Sequence, residues 1–310
     1  MKEYPSYLKL IDSGEFDKRV ERLYSRLSEC DLCPNKCKVN RLKGELGFCK
    51  TGAKPIVASY GPHFGEERPL VGQNGSGAIF FTYCNMACVY CQNWEISHLG
   101  EGDEIGVEDL ARIMLILQVW GCHNINLVTP THQVPFIVEA IGIAAKKGLT
   151  LPIVYNCGGY EDLETLKLLE GIVDIYMPDV KYMDAEVGLR LSKVKNYPSV
   201  VRQAVKEMHR QVGDLVIEDG IAKKGLIVRH LVLPGDLSQT EEVIRFIAQE
   251  ISPNTYFNLM DQYRPCGDAW KYPPLDRKLT KEEWLKALKL AEKYGLKRLD
   301  DRRARFFEFE

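Results

Sequence analysis

Apolar residues recur at Leu8, Ile11, Phe16, Val20, Leu23 and Leu27 between charged neighbours, a period that predicts a helix over residues 6–29. The periodicity then stops. Residues 30–49, CDLCPNKCKVNRLKGELGFC, carry Lys, Pro and Gly without a repeating apolar face and read as a loop-built module. A short β-like run at 55–60 leads into a turn-rich stretch, 61–75, that contains His63, Glu66 and Glu67. From Gly77 onward short apolar runs alternate with helix-length amphipathic ones. The predicted strands are 78–83, 124–129, 153–156, 173–177, 226–231 and 256–260. The predicted helical regions are 107–120, 134–147, 163–170, 185–210 and 239–249, with a last helix at 281–294 and a charged tail, 298–310.

Strands alternating with helices argue for βαβ units and a parallel sheet. Six such units are too few for a closed eight-stranded barrel and suit an open partial one. Each strand runs into a polar, Gly- or Pro-containing loop: YCNMAC, TPTHQ, NCGGYED, PDVKYMD, PGD and DQYRP. In α/β folds sites gather at such C-terminal strand ends. The expected fold class is therefore α/β, a partial (β/α)6 barrel with a small N-terminal cysteine-rich metal-binding module. Its expected units are 1–72 (helix and four-cysteine module), 73–262 (barrel) and 263–310 (helical extension).

Charge narrows the function classes. The 41 Lys and Arg residues against 43 Asp and Glu give a net charge of −2, which provides no electrostatic footprint for nucleic acid or an anionic membrane. The first residues are charged where a signal peptide needs an apolar run, and the best apolar stretch, 134–145, is interrupted by Glu139 and too short to span a bilayer. A cytoplasmic protein is expected. In that compartment disulfides are rare, so the clustering of seven of the 10 cysteines at 30–49 and 84–91 points to metal or redox chemistry. Cys122, Cys157 and Cys266 are scattered and read as small buried apolar residues.

Cys84, Cys88 and Cys91 form a C-x3-C-x2-C loop directly after the first barrel strand. Three thiolates on one loop suit a 4Fe-4S cube, which usually takes four cysteines, so one iron is left open to an outside ligand. The alternative is a structural zinc site completed by a distant residue such as His98. Cys30, Cys33, Cys37 and Cys49 supply four thiols by themselves, enough for structural zinc or for an auxiliary iron–sulfur cluster.

The 84–91 loop, with Tyr90 before its last cysteine, resembles the cluster motif of the radical S-adenosylmethionine (SAM) enzymes. CVYCQN at 88–93, VDIYMPDVKYMD at 173–184 and VRHLVLPG at 228–235 are similar to motifs of the pyruvate formate-lyase activating enzyme group. The resemblance covers roughly residues 77–262. It implies an enzyme that reductively cleaves SAM at a 4Fe-4S cluster to a 5′-deoxyadenosyl radical. It further implies a reductant such as flavodoxin or ferredoxin, and a glycyl-radical enzyme or another protein as substrate. A small-molecule substrate is the alternative within the class, and a zinc-stabilised binding module without catalysis is the alternative outside it.

The resemblance also assigns residues. Where many relatives carry Gly-Gly-Glu after the second strand, this chain has TPTH, so oxygens of Thr129 and Thr131 stand in for the carboxylate that meets the SAM amino group, or else the segment is only a capped turn. Asn156 falls where the activating enzymes carry Asp. Asp179 and Lys181 fit the methionine end, or pair as an ordinary salt bridge. Arg229 and His230 are adjacent on a strand and face opposite ways, and Arg is the better carboxylate partner. His63 and Glu66 either reach the site's mouth or form a surface turn. Tyr263 and Arg264 are candidates for the adenine or substrate side, and Trp94 either stacks on a base or is a buried anchor.

Overall fold

A computed structural model describes residues 4–300. The chain opens with helices α1 (Tyr7–Asp12) and α2 (Glu15–Ser25), then runs through the irregular cysteine segment to strand β1 (Ile56–His63), the single turn α3 (Arg68–Val71) and β2 (Ser76–Phe81). There follow β3 (Asp103–Glu104), α4 (Val107–Val119), β4 (Ile125–Val128), α5 (Val134–Lys146), β5 (Ile153–Cys157), α6 (Leu163–Leu169) and β6 (Ile175–Pro178). Then come α7 (Ala185–Ser192), α8 (Tyr197–Val212), β7 (Val216–Glu218), β8 (Ile221–Leu231), α9 (Thr240–Phe246), β9 (Tyr256–Met260) and α10 (Lys281–Lys293).

Strands β2, β4, β5, β6, β8 and β9 pair in that order and all in parallel, which makes the expected open array of six. Antiparallel β1 and β3 extend the β2 edge, and β7 folds back on the start of β8. Residues before 73 thus contribute a strand to the sheet as well as the cysteine segment. The strands read as continuous apolar runs because both faces are covered: β4, β5, β6 and β9 are buried at every position. Helix α5 is buried almost throughout, packed against α2 and α4. Its interrupting Glu139 accepts a hydrogen bond from the Tyr24 hydroxyl of α2. Among the described residues no helix is long and apolar enough to cross a membrane.

Two predicted helices are each divided in the structure. The helix expected over 6–29 breaks at Gly14, whose φ of 72° lies in the left-handed region that only glycine enters freely, and it ends at Ser25. The region expected over 185–210 breaks at Lys193 and Asn196, both with positive φ, and restarts with Pro198 in the first turn of α8. Periodicity survives both interruptions, so it could not reveal them. β8 begins five residues earlier than the apolar run suggests, because its first half pairs with β7 in a hairpin. Of the charged tail, residues 301–310 lie outside the described residues, while Leu299 bridges to Phe257 of β9.

Candidate functional site

The loop after β2 is fixed from several sides. The Ala87 and Val89 amides donate to the Ser192 and Leu191 carbonyls at the end of α7, at 2.9 and 2.8 Å. The Asn85 amide side chain donates to the Tyr160 carbonyl at 2.6 Å. Tyr90 points into the core, where its hydroxyl meets that of Tyr182, which in turn bonds the Ser192 hydroxyl at 2.8 Å. The aromatic before the last cysteine is therefore an anchor.

Each sulfur of the loop has a polar partner. Cys84 Sγ accepts from the Met86 amide at 3.3 Å, Cys88 Sγ lies 3.0 Å from the Ser192 hydroxyl, and Cys91 Sγ accepts from the Ser97 hydroxyl at 3.1 Å. Burial pushes the Cys84 and Cys88 thiols up, and the neighbouring thiols push Cys84 in the same direction. A centre that prefers thiolates, such as iron, reverses that balance. All ten cysteines are free.

The three cysteines line one wall of a cleft of about 370 Å³ at the C-terminal strand ends. Thr129, Asn156, Asp179, Lys181 and Arg229, from the ends of β4, β5, β6 and β8, line the rest together with His63, Glu66 and Met260. Their polar groups form one network. Arg229 donates from Nε to Asp179 at 2.8 Å, from Nη2 to Asn156 Oδ1 at 2.7 Å and from Nη1 to Glu66 at 3.4 Å. Lys181 Nζ donates to the other Asp179 oxygen at 2.6 Å. Burial alone would raise the Asp179 carboxyl, but Arg229 and Lys181 override it and hold the group at about 2. Asp179 is thus an anion between two cations.

Thr129 adopts a φ of 60°, in the left-handed region that a β-branched residue seldom enters. Its amide donates to the Asn156 carbonyl at 2.8 Å, and this bond holds the turn that puts it at the cleft.

Two of the residues expected to hold SAM stand apart from this cleft, as do Trp94, Tyr263 and Arg264. Thr131 is fully buried and donates to Glu161 at 2.7 Å. His230 is fully buried on the helix side of β8, with Nδ1 2.6 Å from the Val180 carbonyl and Nε2 3.0 Å from the Thr240 hydroxyl. Alternation along the strand sends one of each neighbouring pair inward, and here that one is Arg229. His63 and Glu66, by contrast, belong to the cleft wall because β1 runs on to His63. Trp94 stacks on His98 at 3.7 Å between ring centroids. Sequence reasoning missed Glu161, whose carboxylate accepts from Thr131 and from the Tyr155 hydroxyl at 3.0 Å beneath the cleft. Its position in the polar loop after β5 was the available signal.

Cys30, Cys33, Cys37 and Cys49 line a separate small cavity with Arg41 and His132. Among the described residues no three His, Cys, Asp or Glu side chains already form a single-ion site.

Comparison with known proteins bears on the cleft. The sequence profile of the Radical SAM superfamily matches residues 78–247. The chain is 36% identical over 299 residues to an uncharacterized protein of Methanocaldococcus jannaschii, covering 93% of this chain and 82% of that one. It is 25% identical over 132 residues to the pyruvate formate-lyase-activating enzyme of Listeria monocytogenes, covering 39% of this chain and 53% of that enzyme. In fold it is similar to a radical SAM methyltransferase from Sphaerobacter thermophilus, with a TM-score of 0.50 and 12% identity over 71% of this chain and 64% of that one.

Proposed function

The chain belongs to the Radical SAM superfamily, whose members use a 4Fe-4S cluster and SAM, and from that premise we propose that Cys84, Cys88 and Cys91 hold the cluster while Thr129, Asn156, Asp179, Lys181 and Arg229 hold SAM. The observation that carries this reading is the meeting of three free thiols with side chains from four neighbouring strand ends in one cleft. The residues fit the group. Three thiols leave one iron without a protein ligand, and the hydrogen bonds to their sulfurs are of the kind that tunes cluster potential. When bound, the cluster supplies the electron that cleaves the SAM sulfonium to a 5′-deoxyadenosyl radical.

The chain's own residues bind and orient. Lys181 gives one of its three N–H donors to Asp179 and has the others for a carboxylate. Arg229 is held by Asp179, Asn156 and Glu66, so its guanidinium keeps one direction at the cleft floor. Asp179, with both oxygens engaged, positions those two cations, and the oxygens of Thr129 are available to an ammonium group. Met86, itself buried, adds an apolar side chain to the cleft wall.

The substrate we propose is a protein, with glycyl-radical formation as the favoured activity. Its support is the 25% identity over 132 residues to a pyruvate formate-lyase-activating enzyme, together with the resemblance of the cluster loop and of the motifs at 173–184 and 228–235 to that group. The test incubates the reduced, iron-loaded protein with SAM and a candidate glycyl-radical enzyme and records the electron spin resonance spectrum. A glycyl signal that requires all components is the expected result. SAM cleavage stimulated by small molecules, with no glycyl signal, would transfer the activity to a small-molecule substrate.

A further inference from the structure

Arg41 is 1% exposed, although its guanidinium stays charged at any physiological pH. Nε donates to the Gly52 carbonyl and Nη1 to the His132 carbonyl, each at 2.9 Å, and the group lies 5.6 Å from the centre of the Phe136 ring. Nη2 has no partner, so two of the three guanidinium nitrogens meet neutral carbonyls and the third meets nothing. A buried cation without a counter-charge costs several kcal/mol. His132 beside it gives Nε2 to the Thr82 carbonyl at 2.8 Å and has no partner at Nδ1. Both side chains line the cavity of about 10 Å³ that the four N-terminal cysteines enclose. The anion that Arg41 lacks therefore belongs in that cavity, and four neutral thiols would not provide it.

We propose that Cys30, Cys33, Cys37 and Cys49 hold a second iron–sulfur cluster, fully ligated by thiolates, and that Arg41 is its counter-charge. Four thiolates on metal carry net negative charge whether the metal is zinc or a cluster. The space between the sulfurs separates the two. Sulfurs at ~2.3 Å from one zinc ion would stand about 3.8 Å apart, in mutual contact, and would enclose nothing. Here the four cysteines instead line a cavity of about 10 Å³, room for about one water molecule. In a cube the thiolates stand further apart than around one zinc ion, because each binds a different iron.

The surrounding chain is built to this purpose. The Cys30 amide donates to Val39 and the Lys38 amide to Cys30, each at 2.9 Å, closing the loop on itself. The Phe48 amide donates to Cys37 Sγ at 3.3 Å. At Gly47 a Cβ would stand 2.8 Å from Cys37 Cβ and 2.9 Å from its sulfur, so only glycine lets the loop approach.

The test uses the full chain purified without oxygen, with iron, sulfide and zinc counted per chain. Replacing Cys84, Cys88 and Cys91 together by Ala leaves about four irons and four sulfides on the protein, and the single variant Cys84→Ala repeats the measurement with less change to the loop. Loss of all iron from both variants, or one zinc per chain in its place, would overturn the proposal. The site is independent of the cleft. Were the cleft reading wrong, wild type and triple variant would carry equal iron; were this proposal wrong, the triple variant would carry none. Arg41→Gln in the triple variant lowers the reduction potential of the remaining cluster, because the reduced form loses its nearby cation, whereas Arg41→Lys leaves it close to the starting value. An unchanged potential in Arg41→Gln would remove Arg41 from this role.

Discussion

Asp179 shows how one carboxylate organises the cleft, since both its oxygens are taken by Arg229 and Lys181. Asp179→Asn keeps the shape and removes the charge. It is expected to weaken SAM binding by about 10–100-fold, the value of a charge-assisted hydrogen bond, and to leave iron content unchanged. Equilibrium binding of SAM to the iron-loaded variant checks this, and unaltered affinity would take Asp179 out of the site. Glu161 behaves oppositely. Burial pushes its carboxyl up to about 7 against the hydrogen bonds from Thr131 and Tyr155. The folded state then holds a proton that the unfolded chain has released, so this group's contribution to stability declines as pH rises from about 4.5 to about 7. Glu161→Gln has no such decline. Relative to wild type it is expected to gain on the order of 2 kcal/mol in denaturant-measured stability between pH 5 and pH 8, and an identical pH profile would show the carboxyl to be unperturbed.

Among the elements, the strands were the most legible in the sequence, because buried parallel strands announce themselves as short apolar runs and the loops after them carry the chemistry. From Arg229 and His230 alone, alternation established that the two part company, and chemistry favoured the arginine. The turn after β4 was not legible. Thr129 takes a left-handed conformation and Thr131 turns inward to Glu161, which no periodicity encodes. The hairpin of β7 and β8 turns at Asp219 and Gly220, both with positive φ, a signal that lies in the turn residues and not in the apolar period. Within β8, Gly225 stands where pairing passes from β7 to β6, with a φ of 129° and the Leu215 Cα 2.4 Å from where a Cβ would lie. Gly225→Ala must move backbone, and is expected to destabilise the chain by about 2 kcal/mol or more. Thermal or denaturant unfolding reads this directly, and a loss below 0.5 kcal/mol, the ordinary surface range, would contradict the close approach.

At the scale of the whole molecule, the parallel order of six strands is what brings distant residues together. Residues 84–91, 129, 156, 179–181 and 229 meet because their strands share one C-terminal edge, and the end of β1 and the loop after it add His63 and Glu66 from outside the parallel array. The central claim is that this edge cleaves SAM with an electron delivered through the 84–91 loop. It is tested most directly by measuring 5′-deoxyadenosine after the reconstituted protein, reduced chemically without oxygen, is given SAM. Wild type is expected to produce 5′-deoxyadenosine and Cys84→Ala to produce none, though that variant keeps the four N-terminal cysteines and any iron they hold. No product from iron-loaded wild type, or equal product from both proteins, would contradict the account.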